Sequence, residues 1–263
     1  MGLTSPFFFG AARAEHLAAF DQLRSRDGFA AEWGFRTAER RHRCYNFSTD
    51  CVTSWHAPVW PFESAKLGSA LIHVLTGPLA HAAAARGLLP RDFADFLLQF
   101  ARMHTRGRAA GVQAGSPFIG ESFHPDDGYW LTRDMMFRRR HGDKRRGDHY
   151  FHSSFVDLVL GGIVGVRVEQ PSAVVAPAGT LGIFDVPAAS PAPTRLVVQP
   201  LFARGQLRWF RASRLRIRGH DVAVSWDETG EHFGGGAGLV LWVDGEVAAC
   251  TERLERLEAV LPR

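Results

Sequence analysis

The chain has 263 residues, 46% of them hydrophobic and 22% charged, with a formal net charge of +4. That describes one large or two modest globular domains able to bury a sizeable core. No run of about 18 apolar residues exists, so no membrane-spanning helix is expected, and the N-terminal MGLTSPFFFGAARAEHL lacks the basic stretch of a secretory signal. Cys44, Cys51 and Cys250 are too few for a disulfide framework; although Cys44 and Cys51 are near enough in sequence to approach one another, free thiols in a reducing, cytoplasmic setting are the simpler expectation.

Ala14 to Arg24 places Leu17, Phe20 and Leu23 on one stripe and predicts an amphipathic helix. After Gly28 the chain reads as irregular through GFRTAERRHRCYNFSTDC. Pro61 then suits the first turn of a helix, and Glu63 follows where the helix dipole favours an acid. Phe62, Ala65, Ala70, Leu71 and Val74 recur at helical spacing until Gly77-Pro78 stops the run. A short helix is expected over 79–86. Pro90 opens another, with Phe93, Phe96, Leu97, Phe100 and Met103 as a wide apolar stripe.

The next stretch, Ser116 to Trp130 (SPFIGESFHPDDGYW), reads as a loop with one glutamate, Glu121, set among Phe118, Phe123, Tyr129 and Trp130. Partial desolvation moves a carboxylate's pKa toward working pH, which suits a general base or acid. The alternative is a surface loop whose aromatics anchor it to the core. Arg138 to Arg146 is a basic run beside glycines. It reads as a solvated loop; phosphate contact is the alternative, but no nucleic-acid motif accompanies it, so no nucleic-acid partner is expected. His149 to Gly165 is very apolar and predicts a helix buried on most faces.

From Val166 the pattern changes to short Val-, Leu- and Trp-rich runs separated by Gly, Pro and Asp. Trp242-Val243-Asp244-Gly245-Glu246 reads as a strand entering a tight hairpin turn. The tail LERLEAVLPR is ambiguous between helix and strand, and its β context favours strand. A helical domain over residues 1–165 and a β domain over residues 166–263 are therefore expected, with Val186 to Pro193 as a loop.

Three stretches resemble the six-hairpin, (α/α)6-barrel glycoside hydrolases of the family 63 and mannosylglycerate hydrolase-like group. Trp55-His56-Ala57-Pro58-Val59-Trp60-Pro61-Phe62-Glu63 is similar to that group's Trp-x-Gly-Pro-x-Trp-Pro-Phe segment. Gly120-Glu121 with Pro125 and Gly128 resembles its Glu-x-x-x-Pro-x-x-Gly loop. His149-Tyr150-Phe151-His152-Ser153, with Asp157 and Gly162, resembles the opening of its last barrel helix. Gly219-His220-Asp221, Trp226-Asp227 and Gly230 also look like the β module that follows some of these barrels.

The resemblance implies an α+β protein: the C-terminal half of an (α/α)6 toroid, then a small antiparallel β-sandwich. It implies inverting hydrolysis of a small α-glucoside or α-mannoside, with Glu121 as general base. Trp55 and Trp60 would form a sugar-binding wall, and Tyr150 and His152 would donate hydrogen bonds to hydroxyls. Phe62, Glu63, Tyr129, Trp130 and Ser153 complete the expected substrate-binding set. For the tryptophans the alternative is core packing, and for Glu63 it is an ordinary helix N-terminal acid. Ala57 stands where the group has glycine, and Phe151 where asparagine is usual. The group's general acid is an aspartate upstream, in the half of the barrel this chain is expected to lack. The chain then reads as a truncated product, one part of a split enzyme, or a non-catalytic carbohydrate-binding or subunit-assembly remnant. An open half barrel exposes apolar stripes, so a homo-oligomer or a complementary barrel half is the expected partner beside a small saccharide. No cofactor is expected. A zinc site from His124, His149 and His152 has no HExxH or cysteine pairing to support it.

Overall fold

In the computed structural model, which describes residues 2–43, 45, 55–139, 142–150, 154–169, 194–234 and 236–261, two proline-led helices carry the first half of the chain. The chain divides into two units, Met1–Leu158 and Val159–Arg263. In the first, Gly2–Thr4 (3-10) runs into α1 (Ser5–Phe8), and Ala14–Ala18 (3-10) into α2 (Ala19–Arg24). The stripe expected over 14–24 is present, with Leu17, Phe20 and Leu23 buried, but its first turn winds as 3-10 rather than α. A two-residue ladder, β1 (Ala30–Ala31) with β2 (Gly34–Phe35), lies in the region that reads as irregular. It is too short for alternation to show.

α3 (Pro61–Thr76) and α5 (Pro90–Arg106) each carry Pro at the start, and the short α4 (Ala80–Ala85) lies between them. The Asp92 carboxylate accepts the Leu89 N–H at 2.6 Å and closes the first turn of α5. The apolar stripe of α5 is buried throughout, and Leu98 is the large apolar side chain it leaves to solvent. The exposed inner stripe expected of a half barrel is therefore absent from α5. Gly68 explains how close its neighbours come. A methyl there would lie 2.7 Å from both Leu158 methyls and 2.9 Å from Phe96.

α6 (Leu131–Arg138) has no counterpart among the expected helices. Its buried positions include Thr132 and Arg133, so the apolar period that normally reveals a helix is disguised. The long helix expected over 149–165 is shorter: α7 (Ser154–Leu158) continues as a π-type turn, Val159–Val164. It is also not buried on most faces, since Val156 and Asp157 are exposed.

The second unit holds two antiparallel sheets. β4 (Arg195–Val198) lies between β3 (Val166–Glu169) and β9 (Leu257–Val260), so the tail is a strand, as its context suggests. β5 (Trp209–Ile217), β6 (His220–Asp227), β7 (Gly238–Val243) and β8 (Glu246–Thr251) form a four-stranded meander. The β7–β8 turn, Asp244-Gly245, has φ of 52° and 89°, the left-handed pair a two-residue hairpin requires. Val222, Val224, Trp226, Leu239 and Leu241 make the buried face, and Phe202 meets Trp226 and Phe210 edge-on. The fold is α+β, a helical part followed by a small sheet domain. Among the described residues no helix is long and apolar enough to cross a membrane.

Candidate functional site

The loop around residue 121 is tied to other parts of the chain by main-chain hydrogen bonds. The Phe118 N–H donates to the His104 carbonyl (2.9 Å) in the last turn of α5. Val59 and Phe123 exchange both of their hydrogen bonds, at 2.9 and 2.8 Å. Leu131 N–H donates to Ser122 (2.8 Å), and His149 N–H donates to Ile119 (3.0 Å). The loop around residue 121 is thus pinned to the segment before α3, to α6 and to the segment before α7. Its far end is held as well. Asp126 pairs with the buried Arg36 guanidinium at 2.6 Å, and Gly128, at φ 72°, passes so close to Trp33 that a methyl would lie 2.6 Å from its ring.

Glu121 sits half-buried in this frame. Gly120 before it is required by packing rather than by ligand approach: a methyl there would lie 2.9 Å from Trp130 and 3.0 Å from Phe118. Gly147 covers the acid, since a methyl on it would lie 3.0 Å from both Glu121 Oε2 and the Thr132 methyl. Burial pushes the Glu121 pKa above the ordinary carboxylate range, against the opposing pull of the Arg146 charge. Among the described residues no group donates a hydrogen bond to its carboxylate, and no second carboxylate bears on its ionisation.

Trp55 lies flat on Trp60, centroids 4.0 Å apart and planes 10° from parallel. The two have different surroundings. Trp55 is 46% exposed, whereas Trp60 is 3% exposed and meets Tyr150 edge-on at 6.4 Å. Tyr150 is exposed and follows His149, so the segment that covers Glu121 also borders the indole pair.

The remaining expected positions separate. Trp130 is fully buried against Phe118, Phe123 and His104, with no partner for its Nε1–H among the described residues; it is floor, not an open face. Tyr129 is half-buried and stacks on His124 at 4.9 Å. Burial raises the Tyr129 pKa, with the Asp134 charge adding to it. Phe62 is exposed, with the Lys66 ammonium 5.8 Å above its ring. Glu63 is 9% exposed and pairs with Lys66 at 3.2 Å, while its Oε2 has no partner among the described residues. His152, Ser153 and the Cys44–Cys51 pair lie outside the described residues. No three His, Cys, Asp or Glu side chains converge on a metal position among those described.

Sequence reasoning missed the residues that shape the segment over Glu121. Arg133, inward on α6, donates to Asp148 at 2.9 Å and to the Lys144 carbonyl at 2.8 Å, and both ionic side chains are nearly buried. This pair folds the basic run back toward Glu121. An acid just past the basic run, after Gly147, was the available signal. Ser122 and Thr132 hydroxyls meet at 2.5 Å beneath the loop.

The chain is similar over 97% of its length to a solved structure described as a sialidase, at 23% identity and a TM-score of 0.73. It spans only 20% of that chain, and the likeness speaks to the fold alone. Residues 2–153, which carry Glu121, the indole pair and both flanking segments, match the family described as the Mannosylglycerate hydrolase MGH1-like glycoside hydrolase domain. The chain therefore belongs to the MGH1-like glycoside hydrolase family.

Proposed function

We propose that the first unit supplies the base side of an inverting glycoside hydrolase site acting on a small α-glucoside or α-mannoside. The observation that carries this is Glu121: a half-buried carboxylate, raised in pKa, with no hydrogen-bond donor of its own among the described residues, under a segment whose Tyr150 meets Trp60. A carboxylate held that way is free to accept a proton from water. In inverting hydrolysis it removes that proton as the oxygen attacks the anomeric carbon. A carboxylic acid roughly 6.5–9.5 Å across the sugar then protonates the leaving oxygen.

Trp55 provides the platform, because an indole face packs on the C–H face of a pyranose. Trp60 lies beneath it and meets the exposed Tyr150, to which we assign the role of bonding a sugar hydroxyl. Trp130 supports the backbone before Glu121, packed against Gly120. The general acid lies outside the described residues. A complementary barrel half, in a longer chain or a partner subunit, is its proposed source.

The test is Glu121→Gln, assayed with the complementary barrel half supplied. Hydrolysis is expected to fall by about 10²–10⁴-fold with saccharide binding retained, and the wild-type product is expected to show inverted anomeric configuration by NMR. Full activity in the variant, or a retained anomer in the product, refutes the assignment. Because burial raises the pKa of Glu121, the acidic limb of the rate profile should lie above the ordinary carboxylate range. The same shift makes ionised Glu121 a cost to folding at neutral pH. Glu121→Gln should therefore raise the melting temperature at pH 7 and leave it unchanged where the acid is already protonated. A second reading, saccharide binding without hydrolysis, is favoured by the absence of a second carboxylate acting on Glu121 among the described residues. Binding with no turnover when a complementary barrel half is supplied would establish it.

A further inference from the structure

The two faces of the four-stranded sheet differ in kind. One is the buried face already described. On the other, the strand register sets Arg211 opposite Ser225, Arg216 opposite Asp221, and Ala223 opposite Trp242. Small residues on β6 between the arginines of β5 and the indole of β7 leave a groove of about 660 Å³. The irregularity between Ala212 and Leu215, with Arg214 at φ 60°, brings a third guanidinium to its lining.

The charges in this groove are unbalanced. Arg211 and Arg214 have no carboxylate within ion-pair distance among the described residues, and Arg216 reaches Asp221 only at 3.8 Å. The other acid, Asp244, is engaged by His220 at 2.6 Å and by the Asp221 N–H at 2.9 Å. The Arg211 guanidinium lies 5.1 Å from the Trp242 ring centre, so cation and aromatic surface adjoin.

We propose that this groove binds an acidic saccharide, a short sugar chain bearing carboxylate or sulfate groups. A pyranose packs against Trp242, and Arg211, Arg214 and Arg216 hold its anionic groups. Guanidinium forks match planar or tetrahedral oxyanions, and two of these three have no competing acid. A nucleic-acid strand fits less well. Such surfaces offer a continuous basic track with several stacking aromatics, whereas this groove has one indole and ends on Asp221 and Asp244. The ligand class rests on the saccharide reading of the family, but the groove is independent of Glu121, which lies in the other unit.

The full chain is titrated calorimetrically at low ionic strength with a short oligogalacturonate, a sulfated oligosaccharide, a neutral maltooligosaccharide and a single-stranded oligonucleotide of equal charge. One acidic saccharide is expected to bind, more tightly than the neutral sugar and the oligonucleotide, and to weaken as salt rises. Arg214→Gln and Arg216→Gln, both at exposed positions, should each weaken binding about tenfold; Trp242→Ala should do the same with circular dichroism unchanged. Glu121→Gln, in the other unit, should leave the affinity intact, which separates failure here from failure at the first site. No binding of either acidic saccharide, unchanged affinity in both arginine variants, an oligonucleotide bound as tightly, or loss of binding in Glu121→Gln would each overturn the proposal.

Discussion

Gly120→Ala tests whether the backbone before Glu121 is shaped by packing. A glycine replaced by alanine where space and φ allow gains about 0.4–1 kcal/mol, because the unfolded chain loses freedom. At Gly120 the new methyl would meet Trp130 at 2.9 Å and Phe118 at 3.0 Å. Both rings are buried, at 0% and 8% exposure, so neither can swing into solvent. Overpacking of this kind costs about 1–3 kcal/mol, which outweighs the entropic gain and leaves a net loss of about 1–2 kcal/mol. At about 2–4 °C per kcal/mol for a domain of this size, the melting temperature should fall by about 2–8 °C. Differential scanning calorimetry reads the change. Gly142→Ala is the control, since its methyl would meet nothing within 4 Å. If Gly120→Ala stabilises the protein as Gly142→Ala should, the close approach is not as described and the packing account of the loop fails.

The stacked indoles should behave differently from one another. Trp60→Ala should cost about 3–5 kcal/mol by opening a cavity, while Trp55→Ala should change stability by less than about 1 kcal/mol and weaken saccharide binding; equal stability losses would contradict their exposures. Asp126→Ala strips the buried Arg36 of its anion. Because Asp126 is itself partly solvated, the expected cost is about 2 kcal/mol rather than the 3–5 of a fully buried pair, measured by urea unfolding, and no change would refute the anchoring role. Asp227 is buried, which pushes its pKa up, but hydrogen bonds from the His232, Gly230 and Thr229 N–H groups outweigh that and hold it well below the usual range. Its stabilisation is present at neutral pH and is lost progressively as acid protonates it. Asp227→Asn should therefore lower the melting temperature most at neutral pH and flatten the acid dependence. An unaltered acid profile would show that this carboxylate is not a determinant.

What the residues alone could determine was local. Proline at the start of α3 and α5, the acid at Glu63 or Asp92, apolar side chains three and four apart, and the Asp244-Gly245 turn each act within a few residues, so they are legible in one dimension. The resemblance carried by the 55–63, 120–128 and 149–153 stretches pointed to the family, because those stretches hold chemistry rather than bulk. α6 was hidden, since its inward positions include Thr132 and Arg133, whose partners Ser122 and Asp148 lie outside the helix. Only the tertiary structure decided that Val59 pairs with Phe123, that Gly147 covers Glu121, and that of two neighbouring tryptophans Trp55 faces solvent while Trp60 does not. Those contacts join residues that are distant in sequence or hang on what packs over them, and neither periodicity nor composition encodes which distant segment arrives. The roles of Trp130 and Gly120 turned for the same reason: a large ring and a missing side chain fill one another's space, a fact written in neither residue separately.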